Sequence, residues 1–305
     1  MPELTRTPAR PSAATPEDSA VARPRTAHRG PGTTARRRLR AASLTTLVVL
    51  GAAVMLFPFL WMLITSLQSN GSGISAPSLL PRTVSGDGYR SLFHAVPFTR
   101  VAVNSLGLAL ISTVIQLITS SMAAYAFSRL RFRGRGLVFG CYLATMMVPL
   151  QVLIVPLFAE MKSLNLVDTY AAVLAPTLAS GFGVFLLRQA MDGVPRELDE
   201  AARLDGAGHF RIFASVVLPL VRPALATFSV FAFMASWNSF LWPLVIIRSP
   251  EFMTLPLALA NLQGQFSTQW NVTMAGSVLG TLPIMILYLF AQKYVVQSVA
   301  QSGLK

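Results

Sequence analysis

Residues 43–67 read SLTTLVVLGAAVMLFPFLWMLITSL, twenty-five consecutive positions without an ionisable side chain. A hydrocarbon core about 30 Å thick needs roughly 20 apolar residues at the helical rise, so this run is long enough to cross it. Five further stretches meet the same requirement, and the expected spans are 43–67, 103–126, 137–157, 169–187, 223–246 and 272–291. They are apolar on all sides rather than alternating, and polar loops rather than Asn-Gly or Asp-Gly hairpins separate them, which excludes a membrane barrel. The reading is an all-α polytopic membrane protein with six transmembrane helices in one domain, residues 41–305.

Composition agrees: 53% of the 305 residues are hydrophobic and 12% charged, against about 25% charged in a soluble domain. Residues 1–40 hold nine arginines and six prolines with few large apolar side chains, and are expected to be a disordered tail. Glu3, Glu17, Asp18 and the prolines argue against an amphipathic transit peptide, and the length of the first span against a secretory signal. The single cysteine, Cys141, lies in the third span; it forms no intrachain disulfide and reads as packing.

Basic residues near span ends stay in the cytoplasm, so their distribution tests topology independently of hydropathy. The N-terminal tail, the second and fourth loops and the C-terminal end together carry twenty, and the opposite side carries five: Arg82, Arg90, Arg100, Lys162 and Arg248. Both termini are therefore expected in the cytoplasm. The net charge of +13 is a topology signal, and its dispersal along loop ends without interleaved aromatics excludes a nucleic-acid surface.

All twelve acidic residues and the three histidines fall outside the expected spans, which speaks against proton relay through the membrane. An ion-coupled carrier or channel stays open as the alternative, since sodium can bind backbone carbonyls. Gln116, Gln151, Ser180, Ser236, Asn238, Ser239 and Thr281 lie within spans; such residues line a pathway or bond between packed helices. Gln151 and Asn238 are the candidate path residues. Gly276 and Gly280 form a close-approach pair, and Pro58, Pro149, Pro156, Pro176, Pro243 and Pro283 are expected to bend five of the six spans. No His-Glu-x-x-His pattern and no phosphate-binding G-x-x-x-x-G-K-[ST] loop occurs, so no catalytic or metal-binding residue is assigned.

The loop at about 188–219 contains Val194-Pro195-Arg196-Glu197-Leu198-Asp199-Glu200-Ala201-Ala202-Arg203-Leu204-Asp205-Gly206-Ala207. Acidic residues near the N-terminal dipole and a Gly at the stop predict a short helix over 196–205. Asp199 and Arg203 stand at i,i+4, and Asp205 is placed to cap a second short helix from about Ala207 that carries Phe210 and Phe213. Ala201 and Ala202 leave the helix backbone bare beside Glu200, which suits a docking surface.

Glu200-Ala201-Ala202, Gly206, Val216 and Leu218-Pro219, at these spacings, are similar to the EAA signature of ATP-binding-cassette importer permeases, with Val for the usual Ile. Asn104-Ser105, Ala123-Ala124-Tyr125-Ala126-Phe127, Phe132-Arg133-Gly134 and Trp237-Asn238-Ser239-Phe240-Leu241 extend the resemblance over most of 43–305, toward the maltose-type permeases of carbohydrate importers. Ser239 stands where that family often has an acidic residue, and the ending Ser302-Gly303-Leu304-Lys305 looks like its short basic tail.

The resemblance implies an importer-permease fold in a bacterial plasma membrane, with cytoplasmic coupling helices seated in a separate ATPase. Glu200, Ala201, Ala202, Asp205, Gly206, Phe210, Leu218 and Pro219 would make that coupling. It also implies a related second permease, two ATPase copies that hold ATP and Mg, and an extracellular solute-binding protein. This chain would bind no cofactor and catalyse nothing. The outer loop 68–102, with Tyr89, Leu92 and Phe93, is expected to meet the binding protein.

Overall fold

The computed structural model describes residues 31–69, 83–265 and 269–302. All regular elements among them are helical, with one isolated antiparallel bridge between Gln68 and Val84. The first helix, α1, runs Pro31–Ser66, so the expected disorder through residue 40 gives way to helix at Pro31, where proline's missing N–H costs nothing. Residues 1–30 of that tail, 70–82 of the outer loop and 303–305 of the basic ending lie outside the described residues. The division into two compact units falls within α1, between Leu56 and Phe57, rather than at the expected 40/41 boundary. In the first unit the described side chains from Ala42 to Leu56 are all exposed, as an apolar helix surface built to face lipid would be.

In the second unit α2 (Asp87–Ala95) precedes α3 (Phe98–Arg129). Leu92 of α2 is fully buried against Leu262 and Val272, the Tyr89 hydroxyl lies 2.9 Å from that of Ser66, and Phe93 is exposed. Of the three residues expected to face a binding protein, Phe93 is the exposed one, edge-on to Phe98 at 5.3 Å; the others hold α2 down.

Among the described residues four helices are long and apolar enough to cross a membrane: Ala42–Ser66, Phe98–Arg129, Arg222–Ile246 and Trp270–Gln292. Two apolar helix pairs bring the number to six if each is one span. The first is α4 (Arg135–Ala144), extended by a 3-10 turn to Met147, with α5 (Leu150–Ser163), bent by 99°. Val148 at the bend is extended, as the residue before Pro149 must be. The second is α6 (Tyr170–Leu174), ending in a 3-10 turn at Ala175–Thr177, with α7 (Gly181–Asp192), bent by 45°. Ser180 caps α7 by accepting the Gly183 N–H at 3.1 Å, which accounts for this in-span serine without a pathway role.

After the fourth loop, with its short helices α8 (Glu197–Leu204), α9 (His209–Ile212) and α10 (Leu218–Leu220), come α11 (Arg222–Trp237) and α12 (Leu241–Ile246). They break at Asn238–Phe240 and not at Pro243, which is buried inside α12. α13 (Leu255–Gln265) and α14 (Trp270–Ser302) complete the chain. Pro58, Pro156 and Pro283 lie inside helices.

α3 is the spine of this unit. It packs chiefly on α7 and α11, and its buried face carries Ser105, Ser112, Thr113, Gln116, Ser120 and Ser121. Small polar residues let helices approach where no hydrophobic drive separates helix from lipid. Gly183 of α7 extends this logic, since a Cβ there would collide with the Phe228 ring of α11. Gly276 on α14 receives Leu259 of α13, and Gly280 lies beside it, as their spacing predicts.

On the side opposite Arg129, Asp168 makes a turn with φ 64°. Its carboxylate accepts the N–H groups of Arg248 (2.8 Å) and Ser249 (2.9 Å) and the Ser249 hydroxyl. The Ser249 hydroxyl, the two backbone donors and the nearby Arg248 charge hold its carboxyl below the usual range. A depressed folded-state pKa contributes stability above the ordinary carboxylate value, about 3.9, that is lost as pH falls through the lower folded value. Protection of the Arg248 and Ser249 amides, measured relative to their intrinsic exchange at each pH, is expected to fall as the buffer is taken below about pH 4. Asp168→Asn removes that pH dependence; an unchanged profile in the variant would mean the clip does not govern these amides.

Candidate functional site in the fourth loop

α8 begins one residue later and ends one residue earlier than the sequence suggests, with Glu197, Asp199 and Glu200 in its first turn and Arg203 in its last. Its stop is at Gly206, φ 80°. The Gly206 N–H donates to Arg203 O and the Ala207 N–H to Ala202 O, both at 2.9 Å, the paired bonds of a helix C-terminus closed by a left-handed residue. A side chain with a Cβ would strain the turn at Gly206.

Asp199 does not pair with Arg203. It is buried, and its carboxylate meets Arg129 Nε at 3.0 Å, with the two side chains 7% and 2% exposed. The reason is orientation: Asp199 faces inward while Arg203 is exposed, and a buried carboxylate must find a charge inside. Arg129, the last residue of α3, also donates to Val194 O at 2.7 Å. Beside it Ser128 donates to Asp192 at 2.6 Å, Arg196 reaches Ser128 O at 3.4 Å, and Arg188 pairs with Asp192 at 3.4 Å while lying 4.0 Å over the Phe139 ring. None of these α3 partners follows from the loop's own sequence; the signal available was an arginine closing a long apolar span.

The two alanines diverge. Ala202 packs, with Ala207, against the core of Tyr125, Leu187, Met191, Ile212 and Phe213, whereas Ala201 and Glu200 are exposed. Only one of the pair therefore presents bare backbone. Asp205 is exposed and caps nothing; the N-cap of α9 is Gly208, without a side-chain bond. The short stretch Gly208-His209 lets α9 start extended, and no side-chain acceptor is needed for one turn. Leu204 is 91% and Phe210 76% exposed. Phe210 continues inward as a ring series, 6.3 Å to Phe213 and from there 5.2 Å to Tyr125.

Beyond α9 the backbone takes a π turn at Phe213–Val217. Pro219 lacks an N–H and crowds the carbonyl four residues back, which favours such a widened turn before it. Leu218 and Pro219 are half-buried and join the loop to α11. Arg131, Arg196, Arg203 and His209 surround a cleft beside the Arg129–Asp199 pair, with Glu200 on its rim.

The two candidate path residues lie apart from this site. Gln151 is exposed near the start of α5, and the Asn238 amide donates to Met234 O at 2.9 Å at the end of α11.

Apolar helices, several broken, with an ordered polar loop clamped to the end of α3, define a helical membrane protein. The chain belongs to the family of binding-protein-dependent transport system inner membrane components, whose profile matches residues 116–301. It is 36% identical over 267 residues to the arabinooligosaccharides transport system permease protein AraQ of Bacillus subtilis (strain 168), covering 86% of this chain and 95% of that protein. It is 34% identical over 270 residues to the lactose transport system permease protein LacG of Rhizobium radiobacter, covering 88% and 98%. Among solved structures it matches a bacterial ABC transporter involved in the import of the acidic polysaccharide alginate, with TM-score 0.74, 26% identity and 84% and 96% coverage. The chain is a membrane permease subunit of an ABC importer.

Truncating Asp199 to Ala leaves Arg129 buried and uncompensated, a loss of about 3–5 kcal/mol, whereas Arg203→Ala on the surface is expected to stay within about 0.5 kcal/mol. Thermal unfolding of the detergent-purified chain separates the two, and equal shifts would restore the Asp199–Arg203 pairing.

Proposed function

We propose that this subunit forms the translocation pathway for a carbohydrate, and that a separate cytoplasmic ATPase drives it by docking on α8 and α9. The observation that carries the docking reading is an outward surface of Glu200, Ala201, Leu204 and Phe210 on a loop whose inward side is firmly packed. Two large apolar side chains kept in the open next to a carboxylate suit a protein partner that covers the first and pairs the second with a cation. Asp205 and Gly206 close α8 behind this surface, while Ala202, Leu218 and Pro219 back it from inside.

The positive-inside distribution supports six spans with both termini in the cytoplasm of a bacterial cell, which puts this loop on the ATPase side. The arrangement proposed is a heterodimer with a related permease, two ATPase copies holding ATP and Mg, and an extracellular solute-binding protein. The subunit itself binds no nucleotide. Relatives named for arabinooligosaccharide, lactose and trehalose transport support a carbohydrate solute, and the ligand of the cognate binding protein identifies it.

Ala201→Trp, on an exposed face, is expected to leave membrane insertion intact and to lower solute-stimulated ATP hydrolysis of the assembled complex at least tenfold; wild-type stimulation would remove the docking assignment. Gln151 and Asn238 are the proposed path contacts. Their double alanine variant should shift uptake KM or substrate range, and unchanged kinetics would make both packing residues.

A further inference from the structure

The docking helix is fastened by charge on its incoming side and by apolar packing on its outgoing side. Three segments converge behind it: the end of α3 gives Ser128 and Arg129, the end of α7 gives Asp192, and the link to α8 gives Val194 and Arg196. The buried ion pair of Arg129 with Asp199 ties α8 to that assembly at 3.0 Å, and Ala202 and Ala207 pack against the core to which Tyr125 of α3 and Met191 of α7 belong. The outgoing limb differs in kind. It passes through the π turn at Phe213–Val217 and then Pro219 before α11 begins, and such turns are where helices bend.

Helix propensity does not require a charge pair at this position, and burying two charges is costly unless the geometry is kept tight. Once formed, such a pair has no inexpensive partly separated state, so it joins its elements as one piece. We propose that Arg129 and Asp199 are positioning residues that make α8 and the adjoining ends of α3 and α7 a single rigid body. Displacement of the docking helix is then delivered to α3 and α7 together. This inference rests on the docking reading above.

The test uses the complete complex in proteoliposomes, with Cys141→Ser and the pair Arg129→Cys and Asp199→Cys, whose native side chains meet at 3.0 Å between α3 and α8, joined by a short bifunctional thiol reagent. Asp199→Asn alone is expected to lower the ratio of solute-stimulated to basal ATP hydrolysis at least tenfold. The unlinked cysteine pair is expected to lose the same ratio, and the cross-link to recover most of it, because a covalent tie replaces the ionic one. An unchanged ratio in Asp199→Asn would overturn the proposal, and so would a cross-linked complex no better coupled than the unlinked one. Should Asp199→Asn fail to insert, the cysteine pair, which buries no lone charge, still decides. Co-purification of the ATPase with the unlinked complex reports on docking separately: its absence sinks the docking reading, and its presence with a ratio that the cross-link does not recover sinks the rigid body alone.

Discussion

The Arg129–Asp199 pair is the constraint from which the loop's architecture follows. Among the described residues Asp199 is the one buried carboxylate, and a buried carboxylate without its cation is far more costly than the pair. Pairing it through one oxygen, while the other stays without a bond, draws the first turn of α8 onto the end of α3, with Ala202 turned inward and Ala201 outward. Gly206 then reverses the chain in two residues, and α9 returns along the same core with Phe213 against Tyr125. Leu204 and Phe210 are exposed because the inward positions are already filled.

α3 is tied at its other end by polar contacts of the same kind. The Asn104 amide donates to Glu251 O at 2.8 Å and Met253 O at 3.1 Å and accepts from the Tyr170 hydroxyl at 2.8 Å, while Ser105 accepts the Leu255 N–H at 2.6 Å. Between these ends the helix is held by close packing of small residues. This division of labour suits a helix in lipid, where apolar burial does not distinguish a neighbouring helix from an acyl chain and polar bonds set the register. A spine fixed at both ends can carry a displacement along its length.

What the sequence revealed and what it hid divide along the range of the interactions. Spans are local properties of 20-residue windows, so the apolar segments are found where hydropathy puts them, with α3 and α14 longer than expected. The bounds of α8 and its stop at Gly206 are also local, set by charge near the dipole and by a residue without Cβ. The partner of Asp199 lies 70 positions away on α3, and an arginine four residues along the same helix is the nearer choice until burial is known. Asp205 looked like a cap because an acid at a helix C-terminus needs a reason; exposure to solvent is reason enough. Prolines marked bends only where the preceding residue could turn extended, as at Val148, and α11 breaks at Asn238 without one.

Several polar groups within the spans are occupied by the chain itself. The Thr113 hydroxyl bonds Ala109 O, Gln116 bonds the Ser112 hydroxyl, Thr281 bonds Ser277 O and Asn238 bonds Met234 O. A hydroxyl-rich solute exchanges its hydration for donors and acceptors on the pathway wall, so a wall of satisfied groups offers it little. Ser236 and Ser239 border a narrow cavity with Ser105 and Thr254, too small for a sugar. The Ser120 and Tyr125 hydroxyls of α3 are buried without a bond, and an unmet buried hydroxyl is costly, so it is along α3 that the chain has most to gain from a further polar contact.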